Sequence, residues 1–292
     1  MSDNQTPEKV WTVIELIKWG TDFFNKKEID SPRLTIELLI CDILKLSRIQ
    51  IYTNFDKPLS KDELAKLRDY VIRRAKKEPL QYIVGYEEFF GLKFFLNNET
   101  LIPRPETELL VEKALKMLKN DSQCLKIADF CSGSGCIGIS VAKNIVNSDV
   151  YLFDISNKAL ELSKQNAIEN NVSNVNFRNL DLLKDNFEDA EFDVILSNPP
   201  YISVEDSKEL QDEVRLYEPR IAYCDENDGL TFYKKFKNIF NEKLKKSGIA
   251  LLEFGFGEDE YIREIFKDEF DEIEIINDYS NIPRIAILKG KK

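Results

Sequence analysis

Histidine is absent from this sequence of 292 residues. The absence excludes Ser-His-Asp and Cys-His catalysis, an imidazole general base and histidine ligands for zinc. Five cysteines are present, but no two are spaced as CxxC, so neither a zinc ribbon nor a thioredoxin-type redox motif is indicated. Any chemistry therefore depends on other groups, no metal site is expected, and the cysteines are expected to be reduced thiols of a cytoplasmic protein.

Long apolar runs are also missing, since no stretch approaches the roughly 20 residues of a membrane span. The polar N-terminus carries no signal-peptide pattern. A cytoplasmic protein without a membrane partner is therefore expected. The 41 Lys and Arg against 52 Asp and Glu give a net charge of −11. Such an acidic chain is poorly suited to an extended contact with a phosphate backbone, so direct binding to nucleic acid is not expected.

The chain is predicted to contain two domains and a linker. Residues 1–77 show only helical patterns and predict a small bundle. Three helix-start signals, each a capping residue with a first-turn proline or glutamate, occur there: Thr6-Pro7, Ser31-Pro32 and Ser60 with Glu63. Residues 78–100 are rich in aromatic residues, with Gly85 and Gly91 between them, which predicts a β-hairpin linker. Residues 101–292 form the second predicted domain.

Strand and helix patterns alternate in the second domain. Seven apolar stretches are strand candidates: Ile127–Cys131, Val150–Phe153, Val175–Phe177, Val194–Leu196, Ile249–Phe254, Ile273–Ile276 and Ile285–Leu288. Helical patterns lie at residues 105–119, 136–146, 157–170, 229–246 and 258–267. The alternation predicts an α/β fold with a Rossmann-like, mostly parallel sheet covered on both faces. No helix fits between the last two strands, so they are expected to form an antiparallel hairpin at the sheet edge.

A cluster of glycines follows the first of these strands. Glycine is scarce, 11 in 292 residues, yet Gly133, Gly135 and Gly138 fall close together before a helix. Glycines in this position let the backbone approach a ligand, and the helix N-terminus supplies unpaired N–H groups. Asp154 ends the next strand, where a carboxylate can accept hydrogen bonds from ribose hydroxyls. The same pattern is the dinucleotide fingerprint, so it indicates a nucleoside cofactor without saying which one.

A second motif, Asn198-Pro199-Pro200-Tyr201, follows the strand candidate at Val194–Leu196. Two prolines fix the backbone and remove two N–H donors, so the carbonyls there can accept hydrogen bonds from a substrate. Asn198 adds a side-chain acceptor and Tyr201 an aromatic face. This combination suits a planar NH2 group whose two protons are bound while its nitrogen lone pair is directed at an electrophile.

The Asn-Pro-Pro-Tyr sequence resembles the catalytic motif of amino-group methyltransferases that use S-adenosylmethionine. Further stretches resemble the bacterial peptide chain release factor N(5)-glutamine methyltransferase family: Glu78–Gly85, Leu101–Glu108, Tyr217–Arg220, Asp228–Leu230, Leu251–Gly255, and Asp278-Tyr279 with Arg284. The resemblance covers nearly the whole chain from about residue 30 onward. It implies methyl transfer from S-adenosyl-L-methionine to the side-chain amide nitrogen of the glutamine in the Gly-Gly-Gln motif of release factors.

The resemblance also implies roles for particular residues. The catalytic and substrate-binding residues would be Asn198, Pro199, Pro200 and Tyr201, with Arg104 as a further substrate-binding residue. The cofactor-binding residues would be Asp129, Cys131, Ser132, Gly133, Ser134, Gly135, Asp154, Asp181, Leu182 and Asn198. Cys131 to Gly135 would lie along the methionine and ribose, and Asp181 with Leu182 would border the adenine. The N-terminal bundle would help to hold the release factor.

Cys131 departs from the family pattern, which has a glycine at this position. A positive φ would cost a cysteine about 1–2 kcal/mol relative to glycine. We therefore expect an ordinary β backbone here, with the cysteine only narrowing the pocket.

Three other functions fit parts of the sequence. A glutamine methyltransferase of a large-subunit ribosomal protein would share the catalytic domain and differ in the N-terminal bundle. An adenine N6 methyltransferase would share the Asn-Pro-Pro-Tyr motif, because adenine also carries a planar amine, but it would need a basic groove. A nucleotide-binding module without enzymatic activity would leave the Asn198 motif without a role.

Overall fold

A computed structural model of the chain describes residues 9–118, 123–185 and 191–292. Within these residues the chain divides into two compact units between Val84 and Gly85. The division lies inside the predicted linker of residues 78–100. The three-part assignment of residues 1–77, 78–100 and 101–292 stays a prediction.

The first unit is helical, as the sequence predicts. Its helices are α1 (Val13–Asn25), α2 (Pro32–Leu44), α3 (Arg48–Thr53), α4 (Lys61–Arg74) and α5 (Leu80–Val84). Helix α2 begins directly after Ser31, and α4 begins after Ser60. The Ser60 hydroxyl accepts from the Glu63 N–H at 3.2 Å while the Glu63 carboxylate accepts from the Ser60 N–H at 2.7 Å, so the predicted capping box is confirmed.

Helix α1 begins later than the sequence pattern suggests. The Thr6-Pro7 signal lies outside the described residues, and the helix begins at Val13. Before it the chain is extended, because the Leu59 N–H donates to the Trp11 carbonyl at 3.0 Å and Thr12 forms a bridge with Pro58. The Thr12 N–H donates to the Glu15 carboxylate at 3.0 Å and caps the first turn. A pairing with a distant segment therefore decides where this helix starts.

The second unit contains nine strands in its described residues: β1 (Tyr86–Phe89), β2 (Leu92–Phe95), β3 (Leu125–Phe130), β4 (Ser148–Asp154), β5 (Val175–Asn179), β6 (Phe192–Ser197), β7 (Leu244–Glu253), β8 (Phe270–Asn277) and β9 (Pro283–Lys291). Its helices there are α6 (Glu108–Leu118), α7 (Cys136–Asn144), α8 (Asn157–Glu169), α9 (Asp212–Tyr217), α10 (Thr231–Lys243) and α11 (Asp259–Phe266). No helix of the described residues is long and apolar enough to cross a membrane.

The predicted hairpin exists as β1 and β2, although the start of the predicted stretch forms helix α5 instead. The hairpin is attached to helix α8 by side-chain amides. Asn166 Oδ1 accepts from the Phe95 N–H at 2.7 Å, and Asn170 Nδ2 donates to the Lys93 carbonyl at 2.8 Å. Phe89 and Phe94 are buried in the core of the second unit. These contacts make the hairpin part of the core of the second unit.

The other seven strands form one sheet in the order β5-β4-β3-β6-β7-β9-β8. Strands β3 to β7 pair in parallel, whereas β9 is antiparallel to both β7 and β8. Side chains alternate between two cores: Ile127 and Leu196 belong to one, Ala128 and Ile195 to the other. Helices α6 and α7 contribute to the first core, and α10 and α11 to the second. The predicted mostly parallel, seven-stranded sheet with an antiparallel edge is confirmed.

Candidate active site

The site lies where three neighbouring strands end. Strands β3, β6 and β7 are adjacent and parallel, with Phe130 opposite Ser197 and Ser197 opposite Leu252. The Ser197 hydroxyl donates to the Phe130 carbonyl at 2.7 Å. Strands β4 and β5 lie on one side of β3, and β6 and β7 on the other, so the strand order reverses between β3 and β6. Open α/β sheets bind ligands at the carboxyl end of such a reversal.

A cavity of about 350 Å³ opens at this edge. Its size is typical of a small-molecule site. Most predicted site residues line it: Arg104, Cys131, Ser132, Gly133, Ser134, Asp154, Asp181, Leu182, Asn198 and Pro200. Four predicted residues are not among its lining residues: Asp129, Gly135, Pro199 and Tyr201. The sheet thus brings the two motifs to one cavity, although not every residue of the motifs lines it.

The loop after β3 turns through left-handed backbone, and the expectation of a β conformation at Cys131 is wrong. The φ angles are 59° at Cys131, 54° at Gly133 and 82° at Gly135. This path lets the Ser132 N–H donate to the Phe153 carbonyl at 3.0 Å and the Gly133 N–H donate to Asp154 Oδ2 at 2.8 Å. Cys131 therefore carries a strain of about 1–2 kcal/mol that glycine would avoid.

The three clustered glycines have different reasons to lack a side chain. A Cβ atom on Gly133 would meet nothing within 4 Å, so only its φ requires glycine. A Cβ on Gly135 would lie 2.2 Å from the Ser163 hydroxyl, and one on Gly138 would lie 2.9 Å from Asp129 Oδ2. Gly133 keeps the loop open at the cavity, whereas Gly135 and Gly138 permit close packing of helix α7.

Asp129 is a buried residue of strand β3 that stabilises the glycine loop and the start of helix α7. It is fully buried, and its Oδ2 accepts from the Gly138 N–H at 2.8 Å. Burial raises the pKa of Asp129 to about 8, and the charge of Asp154 adds to the increase while the Gly138 N–H opposes it. Asp129 is therefore placed to fix the start of helix α7 rather than to touch a ligand in the cavity.

Asp154 and its neighbours form the other wall of the cavity. Asp154 Oδ2 accepts from Gly133 as described, and Oδ1 accepts from the Ser156 N–H at 2.8 Å. Burial raises the pKa of this carboxyl, although these backbone N–H groups oppose the increase. Asp181 is held by the Leu183 N–H at 3.0 Å, and Leu182 is 5% exposed. A fixed carboxylate beside an apolar side chain suits the ribose and base of a nucleoside.

The side-chain amide of Asn198 lies next to the turn that precedes helix α6. Its Nδ2 donates to the Thr107 hydroxyl at 3.2 Å, which leaves Oδ1 as the acceptor end of the amide. The Tyr201 hydroxyl donates to Glu253 Oε1 at 3.3 Å. Burial raises the pKa of Glu253 to about 7, against the effect of hydrogen bonds from Thr107 and Tyr201. Burial and this nearby carboxylate keep the pKa of the Tyr201 phenol well above its ordinary value.

Arg104 lines the cavity but is engaged by a buried acid. Its guanidinium pairs with Glu218 Oε1 at 2.5 Å, and Glu218 Oε2 accepts from the Ile102 N–H at 3.0 Å. The Glu218 side chain is 1% exposed. Glu218 therefore neutralises Arg104 and fixes the segment before helix α6 at the cavity.

Three residues of the site were not assigned roles from the sequence: Thr107, Glu218 and Glu253. A usable signal existed for Glu253, which is a single acid at the end of the apolar strand β7 and is 1% exposed. Buried carboxylates are rare unless they have partners, so an acid in such a strand indicates a functional or structural pair. Thr107 and Glu218 lie in the stretches Leu101–Glu108 and Tyr217–Arg220, whose resemblance to the family was the only sequence signal for them.

Comparison with known proteins supports a methyltransferase. Residues 15–85 match the PrmC N-terminal domain, and residues 105–214 match the methyltransferase small domain. The chain is 36% identical over 285 residues to release factor glutamine methyltransferase of Chlorobaculum tepidum, covering 95% of this chain and 97% of that protein. It is 39% identical over 262 residues to the protein of that name from Geobacter sulfurreducens, covering 90% of each.

A solved structure agrees in fold. Human methyltransferase 10 domain containing protein has a TM-score of 0.50 and 14% identity, over 68% of this chain and 90% of that one. A sheet of this order, with a glycine loop and an Asn-Pro-Pro-Tyr turn at its switch point, is that of an S-adenosylmethionine-dependent methyltransferase. At the identities above, which extend over nearly full length, the chain belongs to the release factor glutamine methyltransferase family.

Proposed function

We propose that the protein transfers a methyl group from S-adenosyl-L-methionine to the side-chain amide nitrogen of the glutamine in the Gly-Gly-Gln motif of peptide chain release factors. One observation carries the proposal. In this member of the family, Asn198 lines the same cavity as the glycine loop, and its Nδ2 donates to the Thr107 hydroxyl, which leaves its amide oxygen as the acceptor for a substrate. A cytoplasmic location and a role of the helical unit in holding the release factor belong to the same proposal.

The residues around the cavity fit S-adenosylmethionine. The backbone at Gly133 has open space where a side chain would otherwise lie, Asp154 offers a fixed carboxylate to the ribose hydroxyls, and Leu182 offers an apolar surface to the adenine. Asp181 borders the same part of the cavity. When bound, this cofactor supplies a methyl group that its sulfonium already activates, so an enzyme without histidine is suited to the reaction.

The substrate amide is held by acceptors of the Asn-Pro-Pro-Tyr turn. The Asn198 oxygen and a carbonyl of the proline segment would accept the two N–H protons, leaving the nitrogen lone pair directed away from them. These hydrogen bonds strengthen as the nitrogen becomes positive, which favours the transition state over the bound substrate. As the N–CH3 bond forms, the S–CH3 bond of the sulfonium would break to leave a neutral thioether, and the nitrogen would lose one of its two protons after the transfer. Correct placement of two reactants can contribute about 7–11 kcal/mol, so position is the main contribution of this site.

Labelled S-adenosylmethionine provides the test. The purified protein is incubated separately with a release factor, with large-subunit ribosomal proteins and with nucleic acid, and the labelled residue is mapped by peptide mass spectrometry. Label on the glutamine of the Gly-Gly-Gln motif is expected. Label confined to a ribosomal protein or to adenine would assign one of the alternative substrates, and no S-adenosylmethionine binding by calorimetry would overturn the enzyme assignment.

A further inference from the structure

The Asn198 amide can act on a substrate NH2 group only if its oxygen faces the cavity. The two ends of an amide have nearly the same shape, so shape alone does not decide which end faces the substrate. In the structure, Nδ2 lies 3.2 Å from the Thr107 hydroxyl oxygen. The orientation of the amide therefore depends on whether the Thr107 hydroxyl accepts or donates at this contact.

The hydroxyl of Thr107 has a single proton. Thr107 is 2% exposed, and its hydroxyl lies close enough to the Glu253 carboxyl to lower the pKa of that group. Above its pKa of about 7 the Glu253 carboxylate is ionised and only accepts hydrogen bonds, so the Thr107 proton is directed at Glu253. The Thr107 oxygen is then left to accept, and the group that faces it on Asn198 must be the donor, Nδ2.

Glu253 also holds the other end of the motif. Its Oε1 accepts from the Tyr201 hydroxyl at 3.3 Å, and the Tyr233 hydroxyl donates to its backbone carbonyl at 2.9 Å. One carboxylate at the end of β7 is thus connected to Tyr201 directly and to Asn198 through Thr107. Glu253 is 1% exposed, so water does not compete for these contacts.

We propose that Thr107 and Glu253 are positioning residues for methyl transfer. In this one-way hydrogen-bond chain Asn198 Nδ2 donates to Thr107 and Thr107 donates to Glu253, so the Asn198 amide oxygen is turned toward the substrate nitrogen. This inference rests on the proposed function, since it assigns a purpose to the acceptor end of Asn198. Neither residue needs to touch the substrate or the cofactor for this role.

The first test compares two variants of Thr107. Thr107→Val preserves the shape but removes the hydroxyl, so Asn198 loses its partner and the amide can turn. Thr107→Ser keeps the hydroxyl. We expect Thr107→Val to lower kcat on the order of 10- to 100-fold with little change in the Kd for S-adenosylmethionine, and Thr107→Ser to restore most of the activity. Thermal unfolding of both variants checks that the fold is intact.

The second test uses the pH profile of kcat. Thr107, Tyr201, Arg284 and Glu106 act on the Glu253 carboxyl, whose pKa is raised to about 7, chiefly by burial. Protonation makes Glu253 a possible donor and removes the one-way direction, so kcat should fall roughly tenfold from pH 8 to pH 6. Glu253→Gln does not titrate and should give a lower, flat profile.

Glu258 provides the matched control. Burial also raises its pKa to about 7, but its carboxylate accepts from the Gly255 N–H at 2.8 Å. Glu258→Gln should keep the wild-type pH profile. Equal activity of Thr107→Val and Thr107→Ser, or an unchanged pH profile in Glu253→Gln, would overturn the positioning role. A wild-type enzyme that binds S-adenosylmethionine but does not methylate release factor would instead defeat the proposed function.

Discussion

Two neighbouring segments form the site, and they are constructed differently. The glycine loop of residues 131–135 presents backbone to the cavity, and its shape follows from positive φ angles at Cys131, Gly133 and Gly135. The turn of residues 198–201 presents side chains, which are held by Thr107 and Glu253, 91 and 52 residues away from their partners in the sequence. The glycine loop should thus respond to changes of local backbone geometry, and the turn to the loss of single side-chain atoms.

The largest expected effect concerns the substrate side. Asn198→Ala removes the acceptor oxygen from the turn, and loss of one such group from a catalytic site costs roughly 10²–10³ in rate, or about 3–4 kcal/mol. We expect this loss in kcat, a much smaller change in the Kd for S-adenosylmethionine because Asn198 also lines the cofactor cavity, and an unchanged melting temperature. Single-turnover methylation and calorimetry measure the two quantities. Asn144→Ala, which removes an amide bonded to Ser140 at the end of α7, is the control. Full activity of Asn198→Ala would contradict the mechanism.

The next largest expected effect is a loss of stability caused by substitutions in the glycine loop. Gly135→Ala combines a positive φ of 82° with a Cβ placed 2.2 Å from the Ser163 hydroxyl. Gly133→Ala has a positive φ but meets no atom within 4 Å. We expect Gly135→Ala to lower the free energy of unfolding by about 2–4 kcal/mol, through strain and overpacking, and Gly133→Ala by about 1–2 kcal/mol, through strain alone. Urea denaturation measures both, and equal losses would show that packing at Gly135 is unimportant.

The same contrast explains what the sequence can predict. Glycine clusters and proline pairs mark loops, and apolar runs mark strands, so the positions of both loops, the seven strands and the antiparallel edge were predicted from local patterns. The left-handed backbone at Cys131 was not. The start of α1 was not predicted either, because Trp11 and Thr12 pair with a segment near Pro58 that no local pattern reveals. Thr107 and Glu253 were missed as site residues for the same reason. Their partners lie far away in the chain: Tyr201 meets Glu253 because β6 and β7 are neighbours, and Asn198 meets Thr107 because the turn before α6 lies beside the end of β6.

A smaller expected effect is a pH dependence of the free energy of unfolding that arises from Asp129, at the glycine loop, and not from the turn of residues 198–201. Asp129 lies under the glycine loop with its pKa raised to about 8, chiefly by burial. A carboxyl whose pKa is raised by folding stabilises the folded state at low pH, and this contribution is lost as the pH rises through the folded pKa. We expect the free energy of unfolding to fall with rising pH between about 6 and 8.5, and Asp129→Asn to reduce the decrease by on the order of 1–2 kcal/mol.

The control for this pH dependence is Asp149→Asn, because Asp149 is an exposed carboxyl on the neighbouring strand β4. Urea denaturation at a series of pH values should give this variant the wild-type slope. A wild-type slope in Asp129→Asn as well would mean that Asp129 is ionised in the folded protein, and that its Gly138 hydrogen bond outweighs burial.

The smallest expected effect is also the most specific to the loop backbone. Cys131 has a φ of 59°, so alanine there would keep the strain and glycine would relieve it. Cys131→Gly should therefore be more stable than Cys131→Ala by about 1 kcal/mol. The order should reverse at Ser140, which is buried within helix α7, because glycine in a helix costs about 1 kcal/mol relative to alanine. If alanine is the more stable replacement at both positions, the loop does not have the left-handed backbone on which the comparison of the two segments depends.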